Sequence, residues 1–194
     1  MIARTGVRAA ALALGLAVAG SSVAAGDGSF DRVLGLLGAH AHRRARFTEL
    51  QRLAILERPL ASSGELIYDA PDRLEERVLK PRRESLIARG DELVLVRAGR
   101  RRTLPLSAVP QVAPLIDSVR ATLAGDRAAL ERGFDVRFTG DADHWTLRLT
   151  PKSAVVAGKI RCIRIAGAGD ALSSVEILET DGDTSTMTIA DEHR

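Results

Sequence analysis

The feature that most constrains this chain is a change of hydrophobic period in its middle. Between residues 46 and 106 the apolar residues fall in short, partly alternating runs. Each run is closed by a turn former: Pro59, Pro71-Asp72, Pro81, Gly90-Asp91 and Gly99. From Val112 to Leu123 the period becomes helical, with Val112, Leu115, Ile116, Val119 and Leu123 on one face. Pro110 sits near the start of that stretch and Gly125 just past its end, the asymmetry that a helix favours. Short runs then resume, with Gly140, Pro151, Gly167-Ala168-Gly169 and Asp181-Gly182-Asp183 at the turns. Turns about every 8–12 residues are the signature of an antiparallel meander.

The pattern predicts a mainly β chain with some helix. A first helix, capped by Ser29, carries Phe30, Val33, Leu34, Leu37 and Ala41 at helical spacing and ends around His42 to Arg44. Six strands follow over 46–57, 64–69, 74–80, 85–88, 92–97 and 101–106. The helical insert adds a second, short helix over 126–132. Five more strands are predicted over 134–139, 145–150, 159–165, 174–180 and 185–189. A twisted sheet of about 11 strands must curl, close or be covered, because its apolar face needs burying. An amphipathic helix inserted mid-sheet is a natural cover.

The first 25 residues read as a secretory signal. Arg4 and Arg8 make a basic start, and Ala9 to Gly20 is an apolar run too short to span a bilayer, which needs about 20 residues. The small residues of SSVAA offer cleavage after Ala24 or Ala25. Residues 26–194 then form the mature domain. The full chain has a formal charge of +3. Loss of the two leader arginines leaves 26 basic residues against 25 acidic ones. A near-neutral exported domain is a poor candidate for nucleic-acid binding.

Chemistry-bearing residues are sparse. The single cysteine, Cys162, excludes an intrachain disulfide, and its place in the alternating run KIRCIRI marks it as a small buried hydrophobe. His40, His42, His144 and His193 are read as surface histidines, since a metal site needs three or four converging ligands. No metal and no cofactor is implied. Gly167-Ala168-Gly169-Asp170 lacks the strand–helix context of a phosphate loop and reads as a hairpin turn. No nucleophile elbow or catalytic carboxylate pair stands out, so the chain is not expected to be an enzyme. Arg100, Arg101 and Arg102 are the sharpest basic cluster. They are a solvated hairpin tip or a contact for anionic lipid headgroups or an acidic partner.

Several motifs, in order, resemble the LolA-type outer-membrane lipoprotein carriers. They are ARFTE at Ala45, SGELIY at Ser63, PDRL at Pro71, Pro81 followed by ESLI at Glu84, Gly90 before a strand, and LTPK at Leu149. The resemblance covers residues 30 to 190. It implies an incomplete antiparallel β-barrel with a helical lid, and a periplasmic carrier in place of an enzyme. The cargo would be the acyl chains of a lipoprotein, or another lipid, received from an inner-membrane exporter and passed to an outer-membrane acceptor. Leu66, Tyr68, Leu74 and Val78 would line the cavity from the sheet, and Leu115, Ile116, Val119 and Leu123 from the lid. The chain is expected to act as a monomer. Three features depart from the family pattern. Ala70 stands where the family has a lid-contacting arginine. Glu75, Glu76 and Arg77 stand where it is rich in aromatics. The chain also ends at Arg194, where the family often adds a short element. A non-catalytic periplasmic interaction module with a filled core is the alternative reading.

Overall fold

The computed structural model describes residues 26–110 and 112–191. The expected signal segment lies outside them. Helix α1 (Gly26–Gly38) is followed by six strands: β1 (His42–Arg52), β2 (Leu60–Asp69), β3 (Arg73–Lys80), β4 (Glu84–Arg89), β5 (Glu92–Arg97) and β6 (Arg100–Pro105). A 3-10 turn (Leu106–Ala108), α2 (Ala113–Leu123) and α3 (Arg127–Gly133) come next. Strands β7 (Phe134–Gly140) and β8 (Trp145–Pro151), the short α4 (Ala154–Ala157), β9 (Ile160–Ala168), β10 (Ala171–Glu179) and β11 (Thr184–Asp191) complete the chain.

All 11 strands form one antiparallel sheet in the order β6-β5-β4-β3-β2-β1-β11-β10-β9-β8-β7. The first and last strands meet in the middle, Ala45 opposite Asp191 and Arg52 opposite Thr184. The two free edges, β6 and β7, are therefore the strands that flank the helical insert. The sheet does not close into a barrel. The chain bridges its two edges with α2 and α3 instead. The edges carry charge, three arginines on β6 and Asp135 with Arg137 on β7. Charged side chains blunt a strand edge against further pairing.

Helix α1 starts three residues before Ser29 and ends at Gly38, earlier than the periodicity suggests. Its Phe30, Val33, Leu34 and Leu37 are buried as expected. Phe30 stacks on Phe138 with ring centroids 5.3 Å apart, and the Arg127 guanidinium lies 5.1 Å over the Phe30 ring. Around them Leu147, Leu149, Ile163 and Ile165 are fully enclosed. Cys162 is buried with them as a free thiol. Strand β1 runs earlier than predicted, because its pairing with β2 and β11 starts at the chain's first free backbone after α1 and ends at Arg52. Residues 53–59 become a loop.

The charged strand β3 resolves by its period of two. Its odd positions point outward, where Arg73 bonds Asp69 at 2.5 Å and pairs with Glu75. Arg77 bonds Glu75 at 2.8 Å and Glu65 at 3.2 Å, and Arg44 bonds Glu65 at 2.8 Å. Both Glu75 oxygens are paired, which is what allows this carboxylate to be buried. The even positions Leu74 and Glu76 face the concave side. Two of the histidines take acidic partners, His40 with Asp170 at 2.7 Å and His42 with Asp69 at 3.0 Å, while His193 lies outside the described residues. Among the described residues no three His, Cys, Asp or Glu side chains converge as metal ligands, and no helix is long and apolar enough to cross a membrane.

Candidate functional site

The concave face of the sheet is covered unevenly, and a cavity remains between its middle strands and α2. The space measures about 1060 Å³ with its solvent-open part included. Strands β2, β3 and β4 contribute Leu66, Tyr68, Leu74 and Leu86 to its wall. Helix α2 contributes Leu115, Ile116, Val119 and Leu123. Alternation on β2 brings Leu66 and Tyr68 to one face, and the register sets Tyr68 opposite Leu74. Thus seven of the eight residues named for this wall are brought together.

Val78 is the exception. The β2–β3 register shifts between Ser63 and Gly64, and Val78 lies past the end of the cavity. It borders a separate surface hollow with Leu79, Arg83 and Val96. Sequence reasoning also missed the far wall, formed by Leu172, Val175 and Ile177 of β10 and Met187 and Ile189 of β11. Their alternation was visible. What was missing was the knowledge that β11 pairs with β1 and so brings the chain's end beside its start. Arg100, Arg101 and Arg102 are exposed at the start of edge strand β6, away from the cavity wall.

Two carboxyls interrupt this apolar wall. Glu49 accepts hydrogen bonds from Ser185 Oγ at 2.6 Å, Ser62 Oγ at 3.0 Å and Gln51 Nε2 at 3.1 Å. Glu76 accepts none from any described residue. Burial pushes the Glu76 carboxyl up to about 7, helped by the negative charges of Glu49 and Glu84. Tyr68 is buried, and its hydroxyl donates to the Pro71 carbonyl at 3.3 Å, so burial holds its acidity below that of an ordinary phenol.

Helix α2 is fixed at one end. At its C-terminus Gly125 has φ +67°, and a Cβ there would lie 2.5 Å from the Leu34 carbonyl of α1. Gly38 makes the reciprocal approach to Ala124, at 2.9 Å. Only glycines permit this contact. Ser118 and Thr122 are fully buried and donate to carbonyls of their own helix, at 2.8 and 2.7 Å. On the β4–β5 side Arg120 Nη1 donates to the Gly90 carbonyl at 3.0 Å. Its Nε and Nη2 are buried without a partner, and burial lowers the affinity of its guanidinium for the proton. Ala70 precedes Pro71, and an arginine on the helix itself ties α2 to the sheet. A second hollow, lined by Arg120, Asp117, Leu130 and Phe134, lies on the other side of α2.

The chain is similar to solved structures of low sequence identity. A LolA superfamily protein from Nitrosomonas europaea is 10% identical with a TM-score of 0.48, over 84% of this chain and 90% of that one. The Pseudomonas aeruginosa MucA/MucB complex contains a chain that is 11% identical with a TM-score of 0.42, over 84% of this chain and 56% of that one. None of the curated proteins matches. The family described as outer membrane lipoprotein carrier protein LolA-like matches residues 20–192. That match spans nearly the whole described sheet with its helices, and the chain belongs to the LolA-like family.

Proposed function

We propose that this chain is an exported, non-catalytic carrier that holds the acyl chains of a lipoprotein, or of another lipid, between its sheet and α2. The observation that carries the reading is the cavity. It is walled by aliphatic side chains that remain half-buried on the inner face of the sheet, such as Leu66, Leu74, Leu115 and Ile177. Apolar surface left uncovered inside a protein is surface available to an apolar ligand. Each CH₂ moved out of water is worth about 0.8 kcal/mol, so a long acyl chain gains substantially from entering such a cavity. A filled core would leave no such space, which favours the carrier over an interaction module.

The expected signal segment at residues 1–25 supports delivery to the periplasm, and residues 26–194 would act as a single domain. The route would run from an inner-membrane exporter to an outer-membrane acceptor. The carrier would work as a monomer and without a cofactor.

The test is binding of an acyl-chain fluorophore to delipidated protein. The native chain should bind it with saturable fluorescence enhancement. Val119→Asp places a charge in the cavity wall and should weaken binding at least tenfold. Leu115→Gln, at a less buried position of the same wall, should weaken it several-fold with the thermal transition kept. Failure of the folded native chain to bind any acylated ligand overturns the reading.

A further inference from the structure

Exposed aliphatic side chains and several exposed cations meet at one end of the sheet. Strands β1, β3 and β5 run towards that end, and β2, β4 and β6 run back from it. The β1–β2 loop, the β3–β4 turn and the β5–β6 turn therefore lie side by side there. The β10–β11 turn joins them, and its Asp183 accepts a hydrogen bond from the Ala54 amide at 2.6 Å.

Ile55, in the β1–β2 loop, is 88% exposed. Leu56, Leu60 and Leu79 at the same end are also exposed. Single exposed aliphatics are ordinary on a protein surface. Four on adjacent turns, among an excess of exposed cations, are not. The β3–β4 and β5–β6 turns present Lys80, Arg82, Arg83, Arg100 and Arg101, all exposed. Arg52 and Arg58 flank the β1–β2 loop. No ion pair with a described residue holds any of these seven. Of the acids at this end, Glu84 is held by Arg97 at 2.9 Å, Asp181 accepts the Asp183 amide, Asp183 accepts the Ala54 amide, and Glu57 lies exposed in the β1–β2 loop, so cations outnumber acids here. The cations that remain are spread over three turns as an array and do not converge on a pocket.

We propose that this end of the sheet docks on an anionic lipid bilayer. Ile55 and Leu56 enter the headgroup region, and the arginines of the β3–β4 and β5–β6 turns lie on the lipid phosphates. A plane of phosphates matches cations distributed over several turns, and a bilayer accepts a projecting aliphatic loop without a complementary groove. An acidic protein would satisfy the charges but would leave Ile55 in water. The strand register also sets Glu49 and Ser185 of the cavity wall within three strand positions of Arg52 and Thr184, at this same end. A carrier docked in this way would hold its cavity beside the membrane, a consequence that rests on the carrier reading.

The experiment is flotation of the chain as recovered from expressing cells, with its N-terminus read by mass spectrometry. The vesicles are phosphatidylcholine alone, or phosphatidylcholine with one quarter phosphatidylglycerol. The native chain should float with the anionic vesicles at 50 mM salt, at least tenfold less with the neutral ones, and much less at 500 mM salt. Ile55→Asp and the triple change of Arg82, Arg83 and Arg100 to Ser should each lower the bound fraction at least fivefold, with thermal transitions unchanged. Equal flotation of the native chain and both variants overturns the proposal. So does capture on immobilised polyglutamate without vesicle binding. Acyl-fluorophore binding is measured on the same samples without vesicles. Ile55→Asp should leave it unchanged. Loss of fluorophore binding with flotation intact would count against the carrier reading alone. Loss of flotation with fluorophore binding intact would count against docking alone.

Discussion

On the β7–β9 side of the sheet, α1 and α3 press apolar side chains onto the concave face and enclose them. On the β2–β6 side, α2 spans the same kind of face and leaves a cavity beneath it. The first region holds many of the fully buried residues, among them Leu37, Leu130, Leu147, Leu149, Ile163 and Ile165. The second holds aliphatics that point inward and stay half-buried, such as Leu66, Leu74, Leu86 and Leu115. One sheet thus carries a stable half and a receptive half. Stability and binding draw on the same apolar surface, and a protein that must do both can separate them in space.

The largest expected difference between the halves lies in truncation. Leu147→Ala removes a side chain with no exposure from a closed core and should cost about 3 kcal/mol, within the usual range for such a cavity. Leu115→Ala removes a side chain that borders space already empty and should cost about 1 kcal/mol. The fluorophore affinity should respond in the opposite order, falling for Leu115→Ala and holding for Leu147→Ala in the folded protein. Denaturant unfolding and binding titration on the two variants measure both quantities. Equal stability losses would erase the distinction between the halves.

Much of this division could be read from the residues, and the part that could not has a definite cause. The predicted number and order of strands agree with the observed sheet, and β5 agrees at both ends. The β1 stretch was displaced because Leu53, Ile55 and Leu56 look like strand residues, yet they lie past the last β1–β11 pair. Periodicity tells which residues share a face. It does not tell which strands become neighbours, so β10 and β11 were missing from the cavity wall. Glu75 and Glu76 illustrate the same limit at one residue's distance. As sequence they are two adjacent charges. In the sheet one sits among Arg73 and Arg77 on the outer face, and the other faces the cavity.

Glu76 provides the next test of the hollow half. Its carboxyl is pushed up to about 7 from an ordinary value of 4.5. Between those two values the folded protein keeps a proton that the unfolded chain has lost. Folding stability therefore decreases as pH rises from about 4.5 to about 7 on account of this group. Glu76→Gln removes that loss. The variant should be more stable than the native chain at pH 8 and no more stable at pH 4. An acyl chain in the cavity makes an ionised Glu76 costlier still, so native affinity for the fluorophore should fall as pH rises through 7. Glu76→Gln should flatten that profile. Glu49, Glu84, Arg43 and Arg44 are the other charged groups around this wall, and Glu49 is already satisfied by three donors. A native profile flat between pH 5.5 and 8.5 would show that ligand and carboxyl do not meet.

The smallest expected effect concerns the hold on α2. Its C-terminal end is locked to α1 through Gly125 and Gly38, while Arg120 makes a single hydrogen bond to the β4–β5 turn. That bond is charge-assisted, but the other two guanidinium nitrogens of Arg120, Nε and Nη2, are buried without partners, and their desolvation offsets it. Arg120→Met keeps the aliphatic stem and removes both the bond and the penalty, so the thermal transition should move by only a few degrees. The rates should move more. With its tie to Gly90 gone, α2 can swing about the glycine contact, and fluorophore release should accelerate several-fold while the equilibrium affinity changes little. Stopped-flow displacement measures this directly. Unchanged release would mean that the glycine contact and the apolar face of α2 hold it in place without the arginine.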